Sequence, residues 1–142
     1  MTILYYMKLE DNWRNKTIEN LEKGVWPKSD FDSLLISKTQ ALRKITLDKF
    51  TTEDLRIMIG QEIGLDYLIP LVLEVLTEDL WTEGDFFEGD LLKNVLAIKT
   101  EFWNNNVDHW LILNELIKDK RSEIKAQKFD VANFDSSIHK LL

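Results

Sequence analysis

A chain of 142 residues, 44% hydrophobic and 11% aromatic, carries enough apolar material for one sizeable core and is too short for two ordinary domains. It has no cysteine, which excludes a disulfide framework, thiolate catalysis and cysteine-ligated zinc or iron–sulfur centres. A net charge of −7, from 18 basic and 25 acidic residues, argues against nucleic acid as a direct ligand, since that needs a basic footprint.

The charge is unevenly placed. No lysine or arginine stands between Arg56 and Lys93, while Glu62, Asp66, Glu74, Glu78, Asp79, Glu83, Asp85, Glu88 and Asp90 supply nine negative charges. Taking those nine from 25 leaves 16 acids against 18 bases, so the remainder is slightly positive. Five glycines and two prolines leave no linker or low-complexity stretch, and no repeat has a solenoid period. The start "MTILYYMKLEDNW" lacks a basic region and a small-residue cleavage site, so it does not read as a signal peptide. "YLIPLVLEVL", the longest apolar run, falls short of the ~20 residues a membrane helix needs. The expectation is a soluble, cytoplasmic protein.

In chain order, only "ILYYM" has strand character. "NKTIENLEK" predicts a short helix with Asn15 or Thr17 as N-cap, Ile18 and Leu21 on one side, and Gly24 as the residue after its end. Pro27 breaks the pattern at Trp26. From Asp32, "SLLISKTQALRK" sets Leu34, Leu35, Lys38 and Leu42 near one face and predicts a helix of about three turns. Thr51 and Thr52 read as an N-cap before "EDLRIMIG", whose Leu55, Met58, Ile59 and Ile63 point to a core, with Gly64 as terminator. "LDYLIPLVLEVL", with Asp66 as cap, is apolar nearly all round and reads as a central buried helix that Pro70 begins or kinks.

Asp90 then caps "LLKNVLAI", Thr100 caps a short "EFW" turn, and Asp108 opens what reads as the longest helix, with Trp110, Leu113, Leu116, Ile117 and Ile124 inward. "KDKRSEIKAQK" is a mostly solvated extension, and Phe129, Phe134, Ile138 and Leu141 predict a last segment folded back on the body. The sum is all-α: a single compact helical domain of about six to eight helices over 1–142, with a charged C-terminal helix and tail over about 108–142.

The stretch "EGDFFEGD", residues 83–90, concentrates the chemistry. From Asp79, Gly84 falls at the sixth and Asp90 at the twelfth position of a calcium loop, but Trp81 and Phe87 stand where oxygen ligands belong. Glu83 with Asp85, or Glu88 with Asp90, is a carboxylate pair for acid–base work, in a metal-dependent or carboxylate enzyme using the 79–90 loop. His109 and His139 lie in no metal or nucleophile motif and read as surface or helix-end histidines. On the structural reading, Gly84 ends one helix, Phe86 and Phe87 plug the core, and Asp90 caps the next helix. That leaves Glu78, Asp79, Glu83, Asp85 and Glu88 as solubility charge or a dock for a positive partner, with Trp81 as an anchor or a core residue.

The strings "NKTIENLEKGVW", "FDSLLISKTQALRKITLDKFTTEDLRIMIGQEIGLDYLIPLVLEVL" and "EGDFFEGDLLKNVL" followed by "FW" carry a family resemblance. Over about residues 15–103 the chain resembles the immunity proteins of bacterial contact-dependent growth inhibition systems. The family usually shows a His before the "LR" pair, whereas this sequence has "QALRK". The resemblance implies a small, cytoplasmic, non-enzymatic protein without cofactor, which binds the C-terminal toxin domain delivered by a neighbouring cell. Such toxins are often nucleases, whose basic clefts suit an acidic partner. The candidate partner-binding residues are Glu78, Asp79, Trp81, Glu83, Asp85 and Glu88. The alternative surface is the variable periphery, including the basic 118–128 segment, because specificity for one toxin requires differences between proteins.

Overall fold

A computed structural model describes residues 12–27 and 33–138. The "ILYYM" stretch, His139 and Leu141 lie outside the described residues. Among those described there is no strand, and nine α-helices alternate with short connections. They are α1 (Ile18–Glu22), α2 (Leu34–Leu42), α3 (Thr52–Gly60), α4 (Leu65–Glu78), α5 (Asp90–Leu96), α6 (Thr100–Asn104), α7 (Val107–Ile117), α8 (Arg121–Ala126) and α9 (Ala132–Ser136). Several are single turns of five residues. The all-α expectation holds.

Local chemistry sets the clearest helix starts. Thr17 and Thr51 each accept a hydrogen bond from the backbone N–H three residues on, and Asn20 and Asp54 return the favour to the cap N–H, which satisfies two orphan donors at once. Ser33 caps α2 with a single bond, its hydroxyl oxygen accepting the Ile36 N–H at 3.0 Å. The glycines behave differently from expectation. Lys23, at φ 56°, takes the left-handed position after α1, and Gly24 follows it. Gly60 is the last residue of α3, while Gly64 takes a left-handed conformation immediately before α4 and serves as its N-cap.

At 14 residues, α4 is the longest helix, in place of the expected α7. It carries Pro70 inside its length and buries Leu68, Ile69, Val72, Leu73 and Leu76. It packs on α3 and α7, while α3 also meets α5 and α2. The α7 stripe of Trp110, Leu113 and Ile117 is buried as expected, but the helix stops at Ile117, and Ile124 reaches the core from α8. The last segment folds back: Phe129, Phe134 and Ile138 are buried. Phe134 stacks on Trp110 at 4.9 Å, and its carbonyl accepts the Trp110 indole N–H at 2.9 Å.

Two expectations about packing fail. Leu34 and Leu35 are exposed, and of the α2 face only Leu42 enters the core. Arg43 beside it is buried instead, donating to Glu22 and the Gly24 carbonyl under the Trp26 ring. His109 stands in the first turn of α7, as a helix-end residue would, but the surface half of that expectation fails: it is buried, with its ring parallel to that of Phe102.

Candidate functional site

The sequence between α4 and α5 has to turn a chain that carries many acids and no base. Helix α4 ends at Glu78 with Asp79 in an extended C-cap conformation, and the Asp79 carboxylate accepts the Trp81 N–H at 3.1 Å. Glu83 and Glu88 then form an antiparallel bridge, and the Gly89 N–H donates to the Trp81 carbonyl at 3.0 Å. The result is a hairpin-like loop whose tip is residues 84–87.

A turn this tight points consecutive amides inward, and each needs an acceptor. Two carboxylates supply them. Asp90 accepts from Gly84 N–H at 2.6 Å, Phe86 N–H at 3.0 Å and Phe87 N–H at 3.4 Å. Glu53, from the first turn of α3, accepts from Asp85 N–H at 2.9 Å. Arg56 joins the two: it donates to both Glu53 oxygens at 2.7 Å and lies 3.9 Å from Asp90. Its donation holds the Glu53 carboxyl below the ordinary value against the opposing effect of burial, and the same contact raises the Arg56 guanidinium.

The glycines make room for this clasp. A Cβ on Gly84 would lie 2.6 Å from a Glu53 carboxylate oxygen and 3.0 Å from Asp90. Gly89 sits at φ 83°, and a Cβ there would lie 2.7 Å from the Trp81 ring. The structure thus corrects three expectations. Gly84 ends no helix. Asp90 is the first residue of α5, capped by Gly89, and its side chain serves the loop rather than the helix end. Phe86 and Phe87 do not plug the core: they are 67% and 41% exposed. The buried Asp90 carboxylate occupies the space beneath the tip, so the rings are displayed outward. Phe86 lies under the Arg56 guanidinium, 4.3 Å from ring centre to carbon.

Glu78, Asp79, Glu83, Asp85 and Glu88 are all exposed, and none forms an ion pair among the described residues. The rest of the base-free stretch is not one surface, since Glu74 pairs with Arg14 from the other end of the chain and Asp90 is buried. Trp81 is half-buried, its ring 6.1 Å from that of Phe129. A cleft of about 570 Å³ opens beside it, lined by Trp81, Phe87 and Glu88 from the loop and by Glu123, Ala126 and Gln127 from α8 and the residue after it.

The alternatives fare less well. No three His, Asp or Glu side chains gather as a metal site among the described residues. Both Asp90 oxygens are committed to amide donors, which removes the last ligand a calcium loop would need. The basic segment after α7 is partly neutralised by its own neighbours, with Lys118 on Glu115, Lys120 on Glu123 and Arg121 on Asp135.

Sequence reasoning found the acids but missed the clasp. In the sequence Glu53 is only the first letter of "EDLRIMIG" after the cap, and Arg56 only the edge of the base-free stretch. Their i,i+3 pairing was the one local signal available.

The fold and loop define a small helical protein whose most distinctive outward chemistry is exposed carboxylate interleaved with aromatic rings. A family model described as CDI immunity proteins matches residues 20–116, and the chain belongs to that family, the immunity proteins of contact-dependent growth inhibition. Family membership carries the coarse function, binding and neutralising a toxin protein. The match runs past Trp103 through nearly all of α7 and stops before α8. Comparison with curated proteins and with solved structures finds no match. No helix among the described residues is long and apolar enough to cross a membrane.

Proposed function

We propose that this protein acts in the cytoplasm and neutralises its toxin without chemistry of its own, by seating the 78–90 loop on the toxin and covering its substrate-binding surface. One observation carries the reading. Five exposed carboxylates that form no ion pair among the described residues and two exposed phenylalanines share a loop whose backbone is fixed from below by Asp90 and Glu53. Rings held rigid lose little freedom on binding, which is what an interface anchor requires. The surrounding acids steer a basic partner and repel an acidic one. A nuclease fits best, because a cleft built for phosphates is basic.

The test is binding of the toxin domain, sought at the C-terminus of the large secreted protein expected from the gene immediately upstream. Charge reversal at Glu83→Lys, Asp85→Lys and Glu88→Lys together should slow association by roughly 10- to 100-fold at low salt. The difference should shrink as salt rises. Circular dichroism verifies that the fold is kept. Undiminished affinity at low salt in a folded triple variant would remove the acidic dock.

A further inference from the structure

The cleft beside Trp81 has two walls of different origin. Trp81, Phe87 and Glu88 lie inside the stretch that matches the family, residues 20–116, whereas Glu123, Ala126 and Gln127 lie beyond it. Each wall brings one carboxylate. The loop wall also brings two rings, both braced by Phe129, at 6.1 Å from Trp81 and 6.2 Å from Phe87. The cleft is open, and its volume of about 570 Å³ lies within the range of ordinary ligand sites.

We propose that this cleft is the receptor for a single arginine side chain of the toxin, a reading that rests on toxin binding as the function. A planar guanidinium suits both features at once: it stacks on an aromatic face and forms paired hydrogen bonds to carboxylates. The loop already shows this chemistry, with the Lys93 ammonium 5.6 Å from the Phe87 ring centre and Arg56 over Phe86. Two neighbouring cations compete. Lys93 sits on Phe87, and Lys120 lies 3.7 Å from Glu123, a pair in which both side chains are about half exposed. An exposed pair of that kind contributes little and exchanges readily for a better partner. The division of the walls then separates two tasks. The loop side supplies the general attraction, and α8, outside the family match, decides whether an arginine at a given place on the toxin can reach both carboxylates.

The intact ¹⁵N-labelled chain is titrated with N-acetyl-arginine amide, reading the Trp81 indole N–H, assigned by its loss in Trp81→Phe, and the Gln127 side-chain amide. Saturable shifts of both signals are expected, lost in Glu88→Gln/Glu123→Gln and absent with the uncharged N-acetyl-norleucine amide. No shift at tens of millimolar ligand, equal shifts with the norleucine amide, or undiminished shifts in the double variant overturn the proposal. Against the toxin domain, the same double variant should bind at least about tenfold more weakly. Equal toxin affinity of wild type and double variant overturns the arginine receptor and leaves the immunity function standing. Failure of the wild-type chain to bind toxin at all overturns the functional reading, while the arginine titration still judges the cleft.

Discussion

Asp90→Ala removes, in one step, the acceptor of three loop amides and the carboxylate 3.9 Å from Arg56. Two of the contacts, at 2.6 and 3.0 Å, are short and charge-assisted, and bonds of that type contribute about 1.5–3 kcal/mol each. The third, at 3.4 Å, adds little. Asp90 itself is only 2% exposed, but the tip above it is open, so water can reach amides that lose their partner. Roughly half of the gross figure is returned that way, leaving a loss of about 1.5–3 kcal/mol. In a chain of this length that lowers Tm by about 6–12 °C. Asp90→Asn should recover little, because its one carbonyl replaces two acceptor oxygens and its NH₂ faces other donors. Thermal melts by circular dichroism give the global number, and amide hydrogen exchange at Gly84, Asp85, Phe86 and Phe87 gives the local one. Both should fall together, with the loop amides losing the most protection. A Tm within about 1 °C of wild type, with loop exchange unchanged, would refute the clasp as the element that orders the loop.

Three further outcomes are expected. Gly89→Ala combines the left-handed backbone at φ 83° with a contact of 2.7 Å on Trp81, so a loss of about 2 kcal/mol or more is expected in urea unfolding; an unchanged midpoint would count against the geometry. Phe86→Ala, at a ring 67% exposed, should alter stability by no more than about 0.5 kcal/mol while weakening toxin binding about tenfold or more; full affinity would show that the ring is display without contact. Glu53 has a carboxyl lowered chiefly by Arg56, so its contribution is fully present above the ordinary value of 4.5 and is lost as pH falls through the depressed folded value. Protection of the Asp85 amide should therefore fall on acidification below about pH 4.5 and show no such step in Glu53→Gln; a loss on alkalisation instead would contradict the sign.

Helix chemistry was legible because it is local. Thr17 and Thr51 announce their helices through partners three residues away, and the apolar positions of α4 and α7 recur at helical spacing. What the sequence hid was set by distant partners. The Asp85 amide finds its acceptor on Glu53, 32 residues earlier, and no periodicity reports such a contact. The same blindness inverted the roles of neighbours: two phenylalanines look like core and an aspartate looks like a cap until the space under the loop is known. Leu34 and Leu35 failed similarly, since a leucine pair on a helix says nothing about whether another element arrives to cover it. The acids of the candidate surface were readable as a group because charge needs no partner to be counted.

A motif that marks a family is a poor place to store specificity only if the same atoms serve both purposes. In this loop they do not. Glu83, Asp85, Phe86, Phe87 and Glu88 are exposed at their side chains, while the bonds that fix the tip are made by the backbone N–H groups of 84–87. Any residue other than proline offers that N–H. The frame therefore depends on Glu53, Arg56, Gly84, Gly89 and Asp90, and it tolerates change at the outward positions without losing its shape. Identity of fold and variation of contact become compatible within ten residues. The cleft extends the same logic across the molecule, pairing a wall that the frame holds still with one at Glu123, Ala126 and Gln127, none of which belongs to the frame.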